Sequence, residues 1–117
     1  MEIGTSAGLN LNFDRFHYRY GAAEWGDPAS PVRLAPDLRG KVPPLDGELR
    51  VLARSGCDIA PVDLSNKVAR LRLRSFIWAD QTARLQRLDA AIGLALAAPA
   101  NLVQADAADF VRQTLAM

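Results

Sequence analysis

The stretch EIGTSAG sets Glu2, Gly4, Ser6 and Gly8 at alternate positions near the start of the chain. These residue types suit a tight turn between a strand and a helix. Small residues let the backbone approach a ligand, and free amides at a helix start favour a polar or anionic group. Glu2, at the strand end, is an acid placed to accept charge-assisted hydrogen bonds from an amine or a ribose hydroxyl. The competing reading is a close-packed turn that holds no ligand. The spacing is not the dinucleotide pattern G-x-G-x-x-G, since Gly4 and Gly8 are the only glycines of the set. Gly4-Thr5-Ser6-Ala7-Gly8 does meet G-x-S-x-G, a nucleophile elbow. Hydrolysis of that kind needs an acid and a histidine downstream, and the single His17 sits on or near the end of the same helix, which gives poor triad geometry.

Other reactive side chains offer less. Cys57 is the single cysteine and has no base or positive field tied to it by spacing, so it reads as a buried structural thiol. His17 reads as a surface or packing residue. Arg70, Arg72 and Arg74, with Lys67, Arg84 and Arg87, make the middle of the chain locally basic. Arg70 and Arg74 share a helix face and Arg72 does not, so the set forms a solvated or ion-paired face rather than a stripe for phosphates. Trp25 and Trp78 read as core or loop-packing residues.

These residues need elements to position them. Met1 to Gly4 reads as the end of a strand. Ser6 is placed to cap a helix carrying Leu9, Phe13 and Phe16 on one face. Tyr18 and Tyr20 alternate with His17 and Arg19, which predicts a strand, and Val32 to Leu34 a second; Gly26-Asp27-Pro28 between them is turn chemistry. Pro36 to Gly47 reads as an ordered surface loop and Leu49 to Ala53 as another strand. The segment RSGCDIAPVDLS reads as a glycine turn followed by extended chain ending near Asp63 to Ser65, with Ser65 capping the helix NKVARLRLRSFIWAD. A second helix, QTARLQRLDAAIGLALAA, sets Leu85, Leu88, Ile92 and Leu96 on one face with Ala95. The short strand NLVQAD and the helix AADFVRQTLAM close the chain, and Asp106 and Asp109 suit the N-terminus of that last helix. This order of elements predicts an open α/β sheet with a small β insertion over residues 17 to 54.

Composition bounds the class. The chain has 117 residues, half of them hydrophobic, and a formal net charge of +1, which fits one small globular domain and gives no reason to expect a nucleic-acid partner. One cysteine and one histidine cannot build a Cys/His metal cluster, so no metal is expected. Neither a membrane-spanning apolar run nor a secretory leader is visible, and a reducing cytoplasm is the expected compartment.

The EIGTSAG turn resembles the E-x-G-x-G-x-G loop of class I S-adenosylmethionine-dependent methyltransferases, with Ser6 in place of the middle glycine. That resemblance implies an incomplete Rossmann-like sheet. It also implies S-adenosylmethionine or a related nucleotide bound at Glu2, Gly4, Ser6 and Gly8, with Asp58 or Asp63 on the ribose and Asp106 facing adenine. A non-catalytic scaffold that keeps the fold without the ligand is the alternative. The blocks EIGTSAGLNL, YRYG, WGDPASPVRL, RSGCDIAPVDL, LRLRSFIWADQTARLQRLDAAI and ADAADF together resemble a bacterial family of uncharacterised proteins, the domain of unknown function numbered twenty-three thirty-two. That second resemblance implies a single partial domain belonging to a larger protein, with sheet edges open to a homo-oligomeric partner.

Overall fold

The computed structural model describes residues 1–116. Six strands run in chain order: β1 (Glu2–Ile3), β2 (His17–Tyr20), β3 (Ala23–Gly26), β4 (Arg33–Leu34), β5 (Ser55–Asp58) and β6 (Asn101–Gln104). Three α-helices, α1 (Lys67–Ser75), α2 (Thr82–Ala97) and α3 (Ala107–Leu115), accompany a 3₁₀ helix over Leu9–Arg15. The fold is mixed α/β, with two three-stranded sheets ordered β1-β5-β6 and β3-β2-β4. The first sheet is wholly parallel, pairing Glu2 with Gly56 and Gly56 with Leu102. In the second, β2 runs antiparallel to β3 and parallel to β4.

The glycine turn covers one face of the parallel sheet. A Cβ on Gly56 would lie 2.7 Å from the Thr5 hydroxyl, and one on Gly8 would lie 2.7 Å from Cδ2 of Leu102. Bare backbone at both positions is what lets turn and sheet touch. Alternation along β5 then turns Cys57 to the opposite face, where it is buried as the sequence implies; α3 packs against the same strand. Helix α2 is the shared spine. Its Ile92 and Ala95 join Ala7 and Leu64 in one buried cluster, while Ala91 joins Phe16 and Val32, the residues just before β2 and β4, in another.

Several local expectations change. Ser6 does not cap the first helix: it takes a left-handed φ of 53°, and Gly8 occupies the capping position with φ 73° and no side-chain bond. The segment is two short 3₁₀ turns meeting at a kink at Asn12, whose φ of −97° and ψ of 18° are not helical, so no single helical face runs through it. Leu11 and Asn12 are buried at the kink, and Phe13 is exposed. The turn chemistry at Gly26 hid β3, which hairpins back along β2 after Gly21, another residue with positive φ. Residues 49–53 form no strand; the strand begins at Ser55, through the segment read as a glycine turn. Asn66, not Ser65, caps α1, its side chain accepting from the amides of Val68 and Ala69. Leu96 is exposed on α2, and Trp78 is exposed rather than packed. The last helix forms as expected from Ala107; Met117, the end of that predicted stretch, lies outside the described residues.

Candidate ligand site at the carboxyl edge of the parallel sheet

All three parallel strands end on one edge, and the glycine turn lies there. The turn is clamped to β5 and the segment after it. The Thr5 amide donates to the Cys57 carbonyl at 2.9 Å, and the Val62 amide donates to the Ser6 carbonyl at 2.9 Å. Asp58 closes the clamp: one oxygen accepts from the Ser6 amide at 2.9 Å and the other from the Ala60 amide at 2.9 Å. The Ala60 amide first, and then that of Ser6, holds the Asp58 carboxyl below the usual carboxylate range. The Thr5 hydroxyl donates to Glu2, fixing the acid at the end of β1.

Next to β5, the Ala105 amide donates to the Asp58 carbonyl at 3.1 Å, and the Gln104 side-chain amide donates to the Ile59 carbonyl at 3.0 Å. The ends of β5 and β6 are thereby tied together. Asp106 follows at once and caps α3, accepting from the amides of Ala108 and Asp109.

Two cavities flank the turn. Glu2, Gly4 and Ser6 line one of about 280 Å³ with Leu9, Asn10 and Leu73. Gly8 and Asp63 line another of about 450 Å³ with Asn12, Ser65 and Leu102. The seven anticipated residues therefore do not converge on one pocket. Glu2, Gly4 and Ser6 stay together, and Asp58 reaches them through the Ser6 amide. Gly8 and Asp63 open to the far side, and Asp106 lines neither cavity. Among the described residues no Lys or Arg lines either cavity, so the edge is acidic and does not favour a phosphate group.

Sequence reasoning missed Thr5 and Asn12. Thr5 occupies a variable position of the loop pattern, and its role appears only once Gly56 is seen beneath it. Asn12 is 1% exposed, in a helix whose apolar residues drew attention elsewhere. Its Oδ1 accepts from Arg15 Nη1 at 3.3 Å, while its Nδ2 has no partner among the described residues. A buried donor left so costs about 1–3 kcal/mol. Among the described residues no three His, Cys, Asp or Glu side chains gather as a metal site, and no helix is long and apolar enough to cross a membrane.

Fold and edge together define a small mixed α/β domain with a clamped glycine turn at the carboxyl ends of parallel strands. The chain belongs to the family described as "Uncharacterized protein conserved in bacteria (DUF2332)", whose model matches residues 1–117. No curated protein and no solved structure matches it.

Proposed function

We propose that the chain binds S-adenosylmethionine or a closely related phosphate-free nucleoside at the cavity formed by Glu2, Gly4 and Ser6, as a methyltransferase-like domain. The carrying observation is the bond from the Ser6 amide to Asp58, which joins the glycine turn after β1 to the acid ending the neighbouring parallel strand. The strand order β6-β5-β1 supports this reading, since it corresponds to one half of a doubly wound sheet. The residues fit such a ligand. A Cβ on Gly4 would meet nothing within 4 Å, so the glycine leaves open space at the turn, and the acidic edge complements a sulfonium and an amine. When bound, the ligand supplies an electrophilic methyl group. The protein's contribution is to hold it: Glu2 for an amine or hydroxyl, Asp58 for ribose hydroxyls through its remaining lone pairs, and the turn backbone for close approach.

A second reading, a scaffold without ligand, is favoured by one specific observation. Glu2, Asp58 and Asp106 already accept hydrogen bonds from the protein itself. Isothermal titration of S-adenosylmethionine and its demethylated product separates the two. Saturable binding that is lost in Gly4→Val, with the variant still folded, supports the ligand site. No heat of binding to the folded chain leaves the scaffold.

A further inference from the structure

The larger cavity behind the glycine turn is a separate site with its own chemistry. Ala7 is the residue it shares with the cavity in front, and Glu2, Gly4, Ser6 and Asp58 take no part in it. Its volume, about 450 Å³, lies within the range of small-molecule sites. The body is apolar, with Ala95 of α2 opposite Leu102 of β6. Leu102 is pressed against the bare backbone of Gly8.

Asn12, Asp63, Ser65 and Asn101 are the polar residues of this lining, and Asn12 and Asp63 carry hydrogen-bonding capacity that the protein leaves unfilled among the described residues. Asn12 stands in the wall, and its amide nitrogen is closed off from solvent and unpartnered among the described residues, so an acceptor reaches it only once the wall gives by a small side-chain shift. The orientation of that amide is set by Arg15, which can only donate: the oxygen must face Arg15, and the NH₂ group must face away from it. At the other polar point, Oδ1 of Asp63 takes both the amide and the hydroxyl of Ser65, at 3.0 and 2.6 Å. Its Oδ2 has no protein donor among the described residues. The Ser65 hydroxyl, and then the Ser65 amide, holds the Asp63 carboxyl below the usual range, so it is ionised at neutral pH.

We infer that this cavity binds a compact, neutral or cationic molecule with an apolar body, a hydrogen-bond acceptor for Asn12 and an amine, amide or hydroxyl donor for Asp63. Anions are rejected because the lining offers a carboxylate and no cation. The inference does not depend on the methyl-donor reading, because the two cavities are lined by different polar groups.

Nitrogen–proton correlation spectra of the chain, titrated with benzamide, benzoate and toluene, test it. Benzamide carries acceptor, donor and apolar ring; benzoate lacks the donor and is charged; toluene has the ring alone. Benzamide should shift the Asn12 side-chain NH₂ pair and the Gly8 amide saturably, with at least tenfold weaker binding of the other two. Asn12→Leu should weaken benzamide tenfold or more, and Asp63→Asn should narrow the gap between benzamide and benzoate. If Asn12→Leu does not fold, Leu96→Phe reaches into the same cavity from an exposed position of α2 and should abolish the benzamide shifts. The inference is overturned if Asn12 shows only a long-lived water with no saturable response. Equal binding of all three probes, or shifts confined to Gly4 and Ser6, also overturns it. Titrating S-adenosylmethionine into Asn12→Leu keeps the two sites apart, because its binding in front of the turn should survive.

Discussion

The parallel sheet β1-β5-β6 and the mixed sheet β3-β2-β4 each have three strands, and they are held by different means. The mixed sheet is local. Its hairpin pairs Tyr18 with Trp25 and Tyr20 with Ala23, and the Tyr18 ring lies 5.5 Å from that of Trp25 and 6.4 Å from that of Tyr20. The Tyr18–Trp25 contact across the strands and the Tyr18–Tyr20 contact along β2 each add to the hairpin from residues close in sequence. The parallel sheet is assembled from afar. Arg54, just before β5, forms an ion pair with Asp14 and donates to the Leu11 carbonyl at 2.6 Å. Asp58, at the other end of that strand, reaches back to Ser6. The sheet that carries the candidate site is thus clasped at both ends of β5 by charged side chains reaching to the turn and the 3₁₀ helix. The other sheet is joined by its own turn and aromatic contacts, and α2 packs on it through Ala91.

The sharpest way to break this contrast is Gly26→Ala. Gly26 has φ 98°, and a Cβ there would fall 2.0 Å from the Phe16 carbonyl oxygen. Left-handed strain and a backbone clash together should cost about 3–4 kcal/mol. Hydrogen exchange should show protection lost in β2 and β3 before it is lost in β5 and β6. Loss from both sheets at once would mean that they unfold as one unit.

Gly56→Ala attacks the parallel sheet instead. The added methyl meets the buried Thr5 side chain at 2.7 to 2.9 Å, an overpacking that should cost about 2–3 kcal/mol in urea unfolding. It should release the Ser6 amide from Asp58 while leaving the hairpin amides unchanged. Arg54→Met comes next, at about 2 kcal/mol, because it removes charge-assisted bonds to a half-buried carboxylate and to a carbonyl. Asn66→Ala and Asp106→Ala are the mildest, each removing a helix cap worth about 1 kcal/mol. Asn66→Ala should not alter binding at the glycine turn.

Acid sharpens the same comparison. Arg54 holds Asp14 below the usual carboxylate range, and the amides of Ala60 and Ser6 do the same for Asp58. Near pH 4 the unfolded chain, with Asp at about 3.9, therefore binds more protons than the folded one. The stability these groups contribute is present in full above that value and is lost as pH falls through the lower folded values. The parallel sheet should loosen first in an acid titration followed by exchange, and Asp14→Asn should flatten the response.

What the sequence made legible follows the same divide. Tyr18 and Tyr20 showed β2 by alternation, and the long helix α2 showed itself by period, because both signals live within a few residues. Helix capping at Asp106 was readable for the same reason. β5 was not, because Ser55-Gly56-Cys57-Asp58 has the composition of a turn, and Gly56 is small there to admit Thr5 from the far end of the chain. The acid that meets the glycine turn stayed open between Asp58 and Asp63 until the fold placed Asp58 on the Ser6 amide. Asn12 gave no warning, since a polar residue among apolar ones looks like the outer face of a helix, and nothing local signals the kink that turns it inward.

The pairing of Glu2 with Gly56 also sets an order of events during synthesis. A ribosome adds about 5–20 residues per second, so β1 emerges seconds before the strand that it must join. In that interval the β2–β3 hairpin, whose partners are near neighbours, is free to form. The glycine turn can be clamped only after β5 has been made, and until then the backbone of β1 lacks the β5 partner it has in the fold. Slowing translation after β3 would lengthen that interval and the demand on chaperones, while the finished fold would stay the same.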